Sequence, residues 1–242
     1  MKLLLQKISH ADYDYDMIEN DDVIGVGISG GKDSTLLLYA LNKYKIKSGK
    51  QFTVLGIHIK LGFDGDSFDP VQSYFRDLGI DIFQVESSVA KILELNKTAD
   101  GRIRCSLCSK FKKAAVIAEA KRHSCNKIAF AHHADDAIET LMLNAIYGGK
   151  LNTFDPKMFL TEAKITFLRP FIYVREAQII AESTRLGLPI ISSGCPMDGT
   201  TKRQDMKELL AEIYVRFPQS HDNFLKMLHN PEQLSLWDPK ER

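Results

Sequence analysis

The chain has 242 residues, 44% of them hydrophobic and 26% charged, with a net charge of +1. This is the balance of a soluble globular protein, long enough for one large α/β domain or two small ones. No run of about 18 apolar residues occurs, so no membrane span or membrane partner is expected. The opening Met1-Lys-Leu-Leu-Leu-Gln-Lys7 lacks the long apolar core of a signal peptide, which points to a cytoplasmic location. Four cysteines are too few for a disulfide scaffold. Reduced thiols that cluster in such a chain suggest metal or redox chemistry.

Residues 2–22 read as a short helix and an acidic lead-in. Val23 to Ile28 is an apolar run ending among glycines, as a buried strand does. Ser34 to Lys43 reads as a leucine-rich helix, Phe52 to Ile59 as a second strand, Pro70 to Leu78 as a helix and Ile80 to Val85 as a third strand. Ser106 to His123 is an expected helix, Lys127 to Ala131 a fourth strand, and Ala134 to Tyr147 a helix stopped by Gly148-Gly149. Ile165 to Leu168, Arg175 to Leu186 and Leu188 to Ile191 read as strand, helix and sixth strand. Two helices follow, near 202–216 and 219–228. The alternation predicts an α/β fold, a single domain with a mostly parallel sheet and helices on both faces. The expected divisions are a lead-in at 1–22, a main domain at 23–200 and a C-terminal helical extension at 201–242. Ligands in such sheets sit at the carboxyl ends of strands. Ser29, His58, Ala131-His132-His133 and Ser192-Ser193 all fall at expected strand ends, so they are expected to line one crevice.

Three loop types compete for residues 25–34. Gly25-x-Gly27-x-x-Gly30 fits a dinucleotide fingerprint, but the second strand ends in His58 and Lys60 where that motif needs an acidic residue. A Walker loop needs Gly at 26 and Ser or Thr at 33, where Val26 and Asp33 stand. The remaining type is Ser29-Gly30-Gly31-Lys32-Asp33-Ser34. Its glycines let backbone N–H groups approach phosphate, and the following helix offers its positive end. Ser29 and Ser34 add hydroxyls, Lys32 neutralises charge, and Asp33 caps the helix or holds Mg²⁺.

That loop resembles the one in the PP-loop, or N-type, ATP pyrophosphatases. The resemblance implies ATP cleaved to AMP and pyrophosphate, with an adenine nucleotide α-hydrolase-like sheet. Adenine is expected near Gly56, Ile57 and His58, and beside Ala131 and His132. The stretch His132-His133-Ala134-Asp135-Asp136-x-x-Glu139-Thr140 is similar to a segment of the tRNA-modifying members. Two carboxylates there can hold Mg²⁺ or act as a base, or Asp135 or Asp136 can simply cap the helix. Lys32, Asp135 and Asp136 are the catalytic candidates.

Cys105-Ser-Leu-Cys108 opens a helix, so both thiols share one face near its positive end. His123 and Cys125 add no standard zinc spacing, and Cys125 reads as a core residue. Cys195, placed just past the expected sixth strand, is the third candidate. Three thiolates suit a 4Fe-4S cluster with one iron open to an incoming ligand. With these cysteines the chain resembles the 2-thiocytidine-forming branch of the PP-loop family, from about residue 2 to about 217. Further matching segments are Leu143 to Leu151, Pro156-Lys157, Arg169-Pro170, Arg175-Glu176, Pro189 to Ile191 and Lys202-Arg-Gln204. The branch usually carries a second Cys-x-x-Cys downstream; here only Cys195 stands there. The resemblance implies ATP, Mg²⁺, the cluster, thiolation of a cytidine in a tRNA anticodon loop, and a sulfur donor such as a cysteine desulfurase; it is compatible with a homodimer. Lys97 to Arg122 holds eight basic and two acidic residues, a stretch suited to RNA phosphates or to a solvated helix face. Two other classes remain open: a PP-loop ligase, which has no use for the cysteine pair, and a non-enzymatic ATP or redox sensor, which has no use for Lys32 and the acidic pair.

Overall fold

The computed structural model describes residues 1–62, 67–97, 105–191, 201–230 and 232. Fifteen elements follow in chain order among them: α1 (Lys2–Tyr15), β1 (Val23–Gly27), α2 (Lys32–Ser48), β2 (Thr53–Lys60), α3 (Asp69–Asp77), β3 (Ile82–Glu86), α4 (Val89–Leu95), α5 (Cys105–Arg122), β4 (Lys127–Ala129), α6 (Ala134–Gly148), β5 (Lys157–Leu160), β6 (Ile165–Leu168), α7 (Glu176–Leu186), α8 (Lys202–Arg216) and α9 (Ser220–Leu228). The chain divides into two compact units: Met1–His133 with Asp155–Gly199, and Ala134–Phe154 with Thr200–Arg242.

The first unit holds a six-stranded sheet in the order β3-β2-β1-β4-β6-β5. Every neighbouring pair is parallel except β5 and β6. The short β1 is apolar along its length, as a central strand covered on both faces must be. Its neighbour β2 sorts its side chains by alternation. Leu55, Ile57 and Ile59 pack in one core cluster with Val116 and Ala120 of α5. Gly56 faces the other way, where a Cβ would lie 2.8 Å from Ile82 and 3.2 Å from Leu38 of α2. α2 is held there by Leu36, Leu37, Leu38 and Leu41, all 0% exposed. Burying each such side chain stabilises the fold by about 1.5–3 kcal/mol.

Strand order reverses beside β1: β2 and β3 extend one way, β4 and β6 the other. Such a reversal opens a crevice at the carboxyl ends of the two central strands. The chain leaves β1 there into Ile28 to Gly31 and leaves β4 into Phe130 to His133.

At the amino ends of the strands, Lys127 is 5% exposed. Its ammonium lies 3.0 Å from Glu19, 2.8 Å from Asp22 and 3.0 Å from the Met17 carbonyl. Asp12 is also buried, accepting bonds from the Ile18 amide, the Tyr44 hydroxyl and Lys50. The lead-in at 1–22 is therefore fastened to β4, to Tyr44 of α2 and to Lys50 by charged bonds as well as by packing.

Among the described residues one expected strand is absent and one unexpected strand takes its place in the count. Residues 188–191 do not form a sixth strand; Pro189 lacks an amide donor, and the Ile191 amide bonds instead to the Gly30 carbonyl at 3.0 Å. The sixth strand is β5, an antiparallel edge strand formed by the hairpin Lys157–Leu168. Ser192, Ser193 and Cys195 lie outside the described residues.

The second unit packs Ile138 of α6 with Met206 and Leu210 of α8, ringed by Met142, Leu143, Ile213 and Phe224. Thr201 caps α8 by accepting from the Gln204 amide. Among the described residues no helix is long and apolar enough to cross a membrane.

Candidate active site

The loop after β1 is shaped by its own hydroxyls. The Ser34 side chain accepts from the Ser29 amide at 3.1 Å and donates to the Gly31 carbonyl at 3.2 Å. The Ser29 and Ser34 hydroxyls are 3.1 Å apart, and the Gly31 amide donates to Ser29 at 3.3 Å. Ser34 is 7% exposed, so it braces the loop from within. Gly30 has φ 88°, and a Cβ there would lie 2.3 Å from Ile191 Cγ1. Glycine is required on both counts, backbone and space. Gly31 is the N-cap of α2, which leaves the amides of that helix's first turn without a side-chain cap. Donors pointing out of a helix N-terminus behind a glycine turn make an anion cradle.

Lys32 stands at the mouth of this cradle between two carboxylates. Its Nζ is 3.1 Å from Asp33 Oδ2 and 3.0 Å from Glu176 Oε1, at the start of α7. Burial works against its charge, but Asp33 and Glu176 outweigh it and raise the ammonium's pKa. Asp33 does not cap α2. Its Oδ1 is buried without a hydrogen-bond partner among the described residues, and His133 Nε2 stands 4.0 Å away. An orphaned buried carboxylate oxygen beside a phosphate cradle suits a divalent cation.

At the end of β2, His58 donates from Nδ1 to the Ile28 carbonyl at 2.9 Å and stacks on Phe68 with centroids 3.8 Å apart. Burial lowers its pKa, the Ile28 bond opposes this, and the charges of Lys112 and Lys60 add to the lowering. A neutral ring fixed as the Nδ1–H tautomer results. Gly56 and Ile57 lie two and one residues before it, inside the strand. His132 follows Ala131 beyond β4, its ring tilted against Phe130 at 6.1 Å.

In the second unit, Asp135 and Asp136 occupy the first turn of α6. Carboxylates are favoured there by the helix dipole. Asp135 accepts from His221 Nε2 at 3.0 Å. Asp136 lies 3.7 Å from Arg203, which also meets Glu139 at 3.1 Å and donates to Thr140 at 3.1 Å.

Cys105 is the first residue of α5 and Cys108 follows at helical spacing, a half-buried thiol. The Cys108 thiol lies on the opening turn of that helix, where amide dipoles favour a thiolate. Cys195 lies outside the described residues. Among the described residues no three His, Cys, Asp or Glu side chains gather as a metal site. Cys125 is apart, a core thiol whose pKa burial pushes up to about 11.

Sequence reasoning gave no role to Glu176, His221 or Arg203. Lys32 and Glu176 are 144 positions apart, and no local pattern pairs them. Arg175-Glu176 stood out only as part of a resemblance.

A family model described as a PP-loop domain matches residues 4–191. The chain is 35% identical to the tRNA-cytidine(32) 2-sulfurtransferase of Pelobacter propionicus over 97% of its own length and 88% of that protein. It is 33% identical to the protein of the same name from Geotalea daltonii, over 99% of its length and 95% of that protein. Its fold matches the U34-tRNA thiolase NcsA from Methanococcus maripaludis, a structure containing that protein's [4Fe-4S] cluster, with a TM-score of 0.76. That match has 20% identity and covers 97% of this chain and 79% of the thiolase. The chain therefore belongs to the PP-loop family, on its tRNA-cytidine 2-sulfurtransferase branch.

Proposed function

We propose that the chain is an ATP-dependent tRNA sulfurtransferase, which adenylates a cytidine at C2 and exchanges the oxygen for sulfur. The position suggested by its relatives' name is cytidine 32, in the anticodon loop. The observation that carries the reading is the glycine cradle with its doubly paired Lys32, in a chain about a third identical to those relatives along nearly its whole length.

ATP phosphates would lie on Ser29, Gly30, Gly31 and the first turn of α2. Lys32 would exchange its carboxylate partners for phosphate oxygens. Mg²⁺ would be held on the Asp33 side, where Oδ1 has no hydrogen bond among the described residues. The adenine would lie against Gly56, Ile57 and His58. The cytidine O2 attacks the α-phosphorus, the bond to the bridging oxygen breaks and pyrophosphate leaves. Lys32 would stabilise the charge that develops on the phosphates, and Mg²⁺ when bound would supply further positive charge there. Asp135 or Asp136 would position the metal or the base. Sulfide would then attack C2 of the adenylated base, the C2–O bond would break, and AMP would leave with that oxygen.

Cys105, Cys108 and Cys195 would hold a 4Fe-4S cluster, which when bound supplies an iron open to sulfide. A cysteine desulfurase is the class of enzyme that would provide the sulfur, as a persulfide that a thiol reductant would bring to the sulfide level. Exposed Lys110, Lys113, Lys121 and Arg122 on α5 suit RNA phosphates. A base reached in a folded loop must be splayed out of its stack.

The test is nucleoside mass spectrometry of tRNA from cells lacking the gene, complemented with the wild type or Cys105→Ala. The wild type should restore 2-thiocytidine and the variant should not, while purified Cys105→Ala still binds ATP. Unchanged 2-thiocytidine in the deletion strain would overturn the proposal.

A further inference from the structure

The C-terminal helix α9 puts a buried imidazole on the acidic pair. His221 is 5% exposed, and its Nε2 meets Asp135 Oδ1 at 3.0 Å. The other ring nitrogen is buried without a hydrogen bond among the described residues, with Asp222 Oδ1 at 3.6 Å. The ring lies edge-on to Tyr214 of α8, centroids 5.2 Å apart at 65°. The adjacent carboxylate is treated differently: Asp136 faces the guanidinium of Arg203, shared with Glu139. Two neighbouring carboxylates thus receive two kinds of partner, a delocalised permanent cation and a directional imidazole.

This arrangement is costly if it only packs. A buried ring nitrogen with no hydrogen bond destabilises the fold, and an apolar side chain of similar size would fill the same space without that cost. What an apolar residue would not do is hold Asp135. A carboxylate in the first turn of a helix can swing towards the backbone amides of that turn. A buried N–H donor at 3.0 Å fixes one rotamer instead. We propose that His221 is a positioning residue for Asp135, holding its carboxylate in the orientation used when the tRNA base is adenylated. The inference rests on the proposed function above. It makes the C-terminal helices a working part of the acidic site.

The experiment measures pyrophosphate release and thiolation by anaerobically prepared holoenzyme with ATP and tRNA. It uses His221→Leu, His221→Gln, Asp135→Asn and the double variant His221→Leu/Asp135→Asn. Loss of an orienting partner typically costs 10–100-fold in activity. His221→Leu should therefore lower kcat by about 10- to 100-fold with KM for ATP and tRNA nearly unchanged. His221→Gln, whose amide reaches the place of Nε2, should recover most of the rate. In the Asp135→Asn background His221→Leu should cost less than about twofold, because the residue it acts through is already gone. Full additivity, or a His221→Leu enzyme with wild-type kcat, overturns the inference. If His221→Leu does not fold, His221→Gln is compared with the shorter His221→Asn: Gln active and Asn impaired supports positioning, and equal rates overturn it. The two readings fail separately. A wild type that releases no pyrophosphate with any tRNA sinks the proposed function, whereas an active wild type with an indifferent His221 sinks only this inference.

Discussion

Gly30→Ala puts the nucleotide loop itself under test. The glycine has φ 88°, where a residue with a Cβ loses about 1–2 kcal/mol. The added carbon would also sit 2.3 Å from Ile191 Cγ1 and 2.6 Å from its Cδ1, far inside contact distance. The Ile191 amide donates a hydrogen bond to the Gly30 carbonyl, which holds its backbone beside the loop and leaves the side chain to give way. Overpacking of this kind costs about 1–3 kcal/mol. Together the variant should lose about 2–5 kcal/mol, which in a chain of this size lowers Tm by about 4–20 °C. Differential scanning calorimetry reads the shift, and equilibrium binding of ATP should weaken alongside it. Made in an Ile191→Ala background, the same substitution should cost only the backbone part, about 1–2 kcal/mol. A Gly30→Ala protein with unchanged Tm and ATP affinity, or an equal cost in both backgrounds, would refute the account of the loop.

Two further outcomes follow from charged pairs. Glu176→Gln removes one of the two carboxylates on Lys32 Nζ, so ATP and pyrophosphate should both bind more tightly and pyrophosphate should leave more slowly; titration calorimetry with each ligand checks this, and weaker binding of both would count against it. Glu182 is held at about 2 by its bonds to Arg185, with the Met1 amino group adding to the effect and burial opposing it. Its folded pKa lies below the unfolded value near 4.5, so its contribution is present above that value and is lost as pH falls towards 2. Urea midpoints should therefore fall from pH 5 to pH 3 less steeply in Glu182→Gln than in the wild type.

What could be read from the residues was local. The run Val23 to Ser34 carries strand, glycine turn and helix start in twelve consecutive positions, and each is where its pattern puts it. The same holds for β4 and α6 around His132 to Asp136. Ile165 to Leu168 reads as a strand and is β6, but its hairpin partner β5 escaped notice because Lys157–Leu160 is only four residues long and half exposed, without a buried apolar run. Leu188 to Ile191 carried the opposite error. Its apolar content suggests a strand, yet Pro189 denies it a ladder, Ile190 is 50% exposed and Ile191 pairs with a loop. The seven-residue α4 was missed for the same reason of length. Partners brought together only by the fold, Lys32 with Glu176 and Asp135 with His221, leave no mark on sequence spacing at all.

The buried ammonium of Lys127 bears on how mutational maps of this protein should be read. It sits at the amino ends of the strands, opposite the crevice, with Glu19, Asp22 and the Met17 carbonyl around it. Removing one partner of such a buried pair costs about 3–5 kcal/mol. A saturation screen scored on cell growth would thus light up Asp22 and Lys127 as brightly as the nucleotide loop. Two hot regions at opposite ends of one sheet look like two ligand sites. Abundance, measured beside activity, would tell them apart: variants at Asp22 and Lys127 deplete the protein, whereas Lys32 variants leave it plentiful and idle.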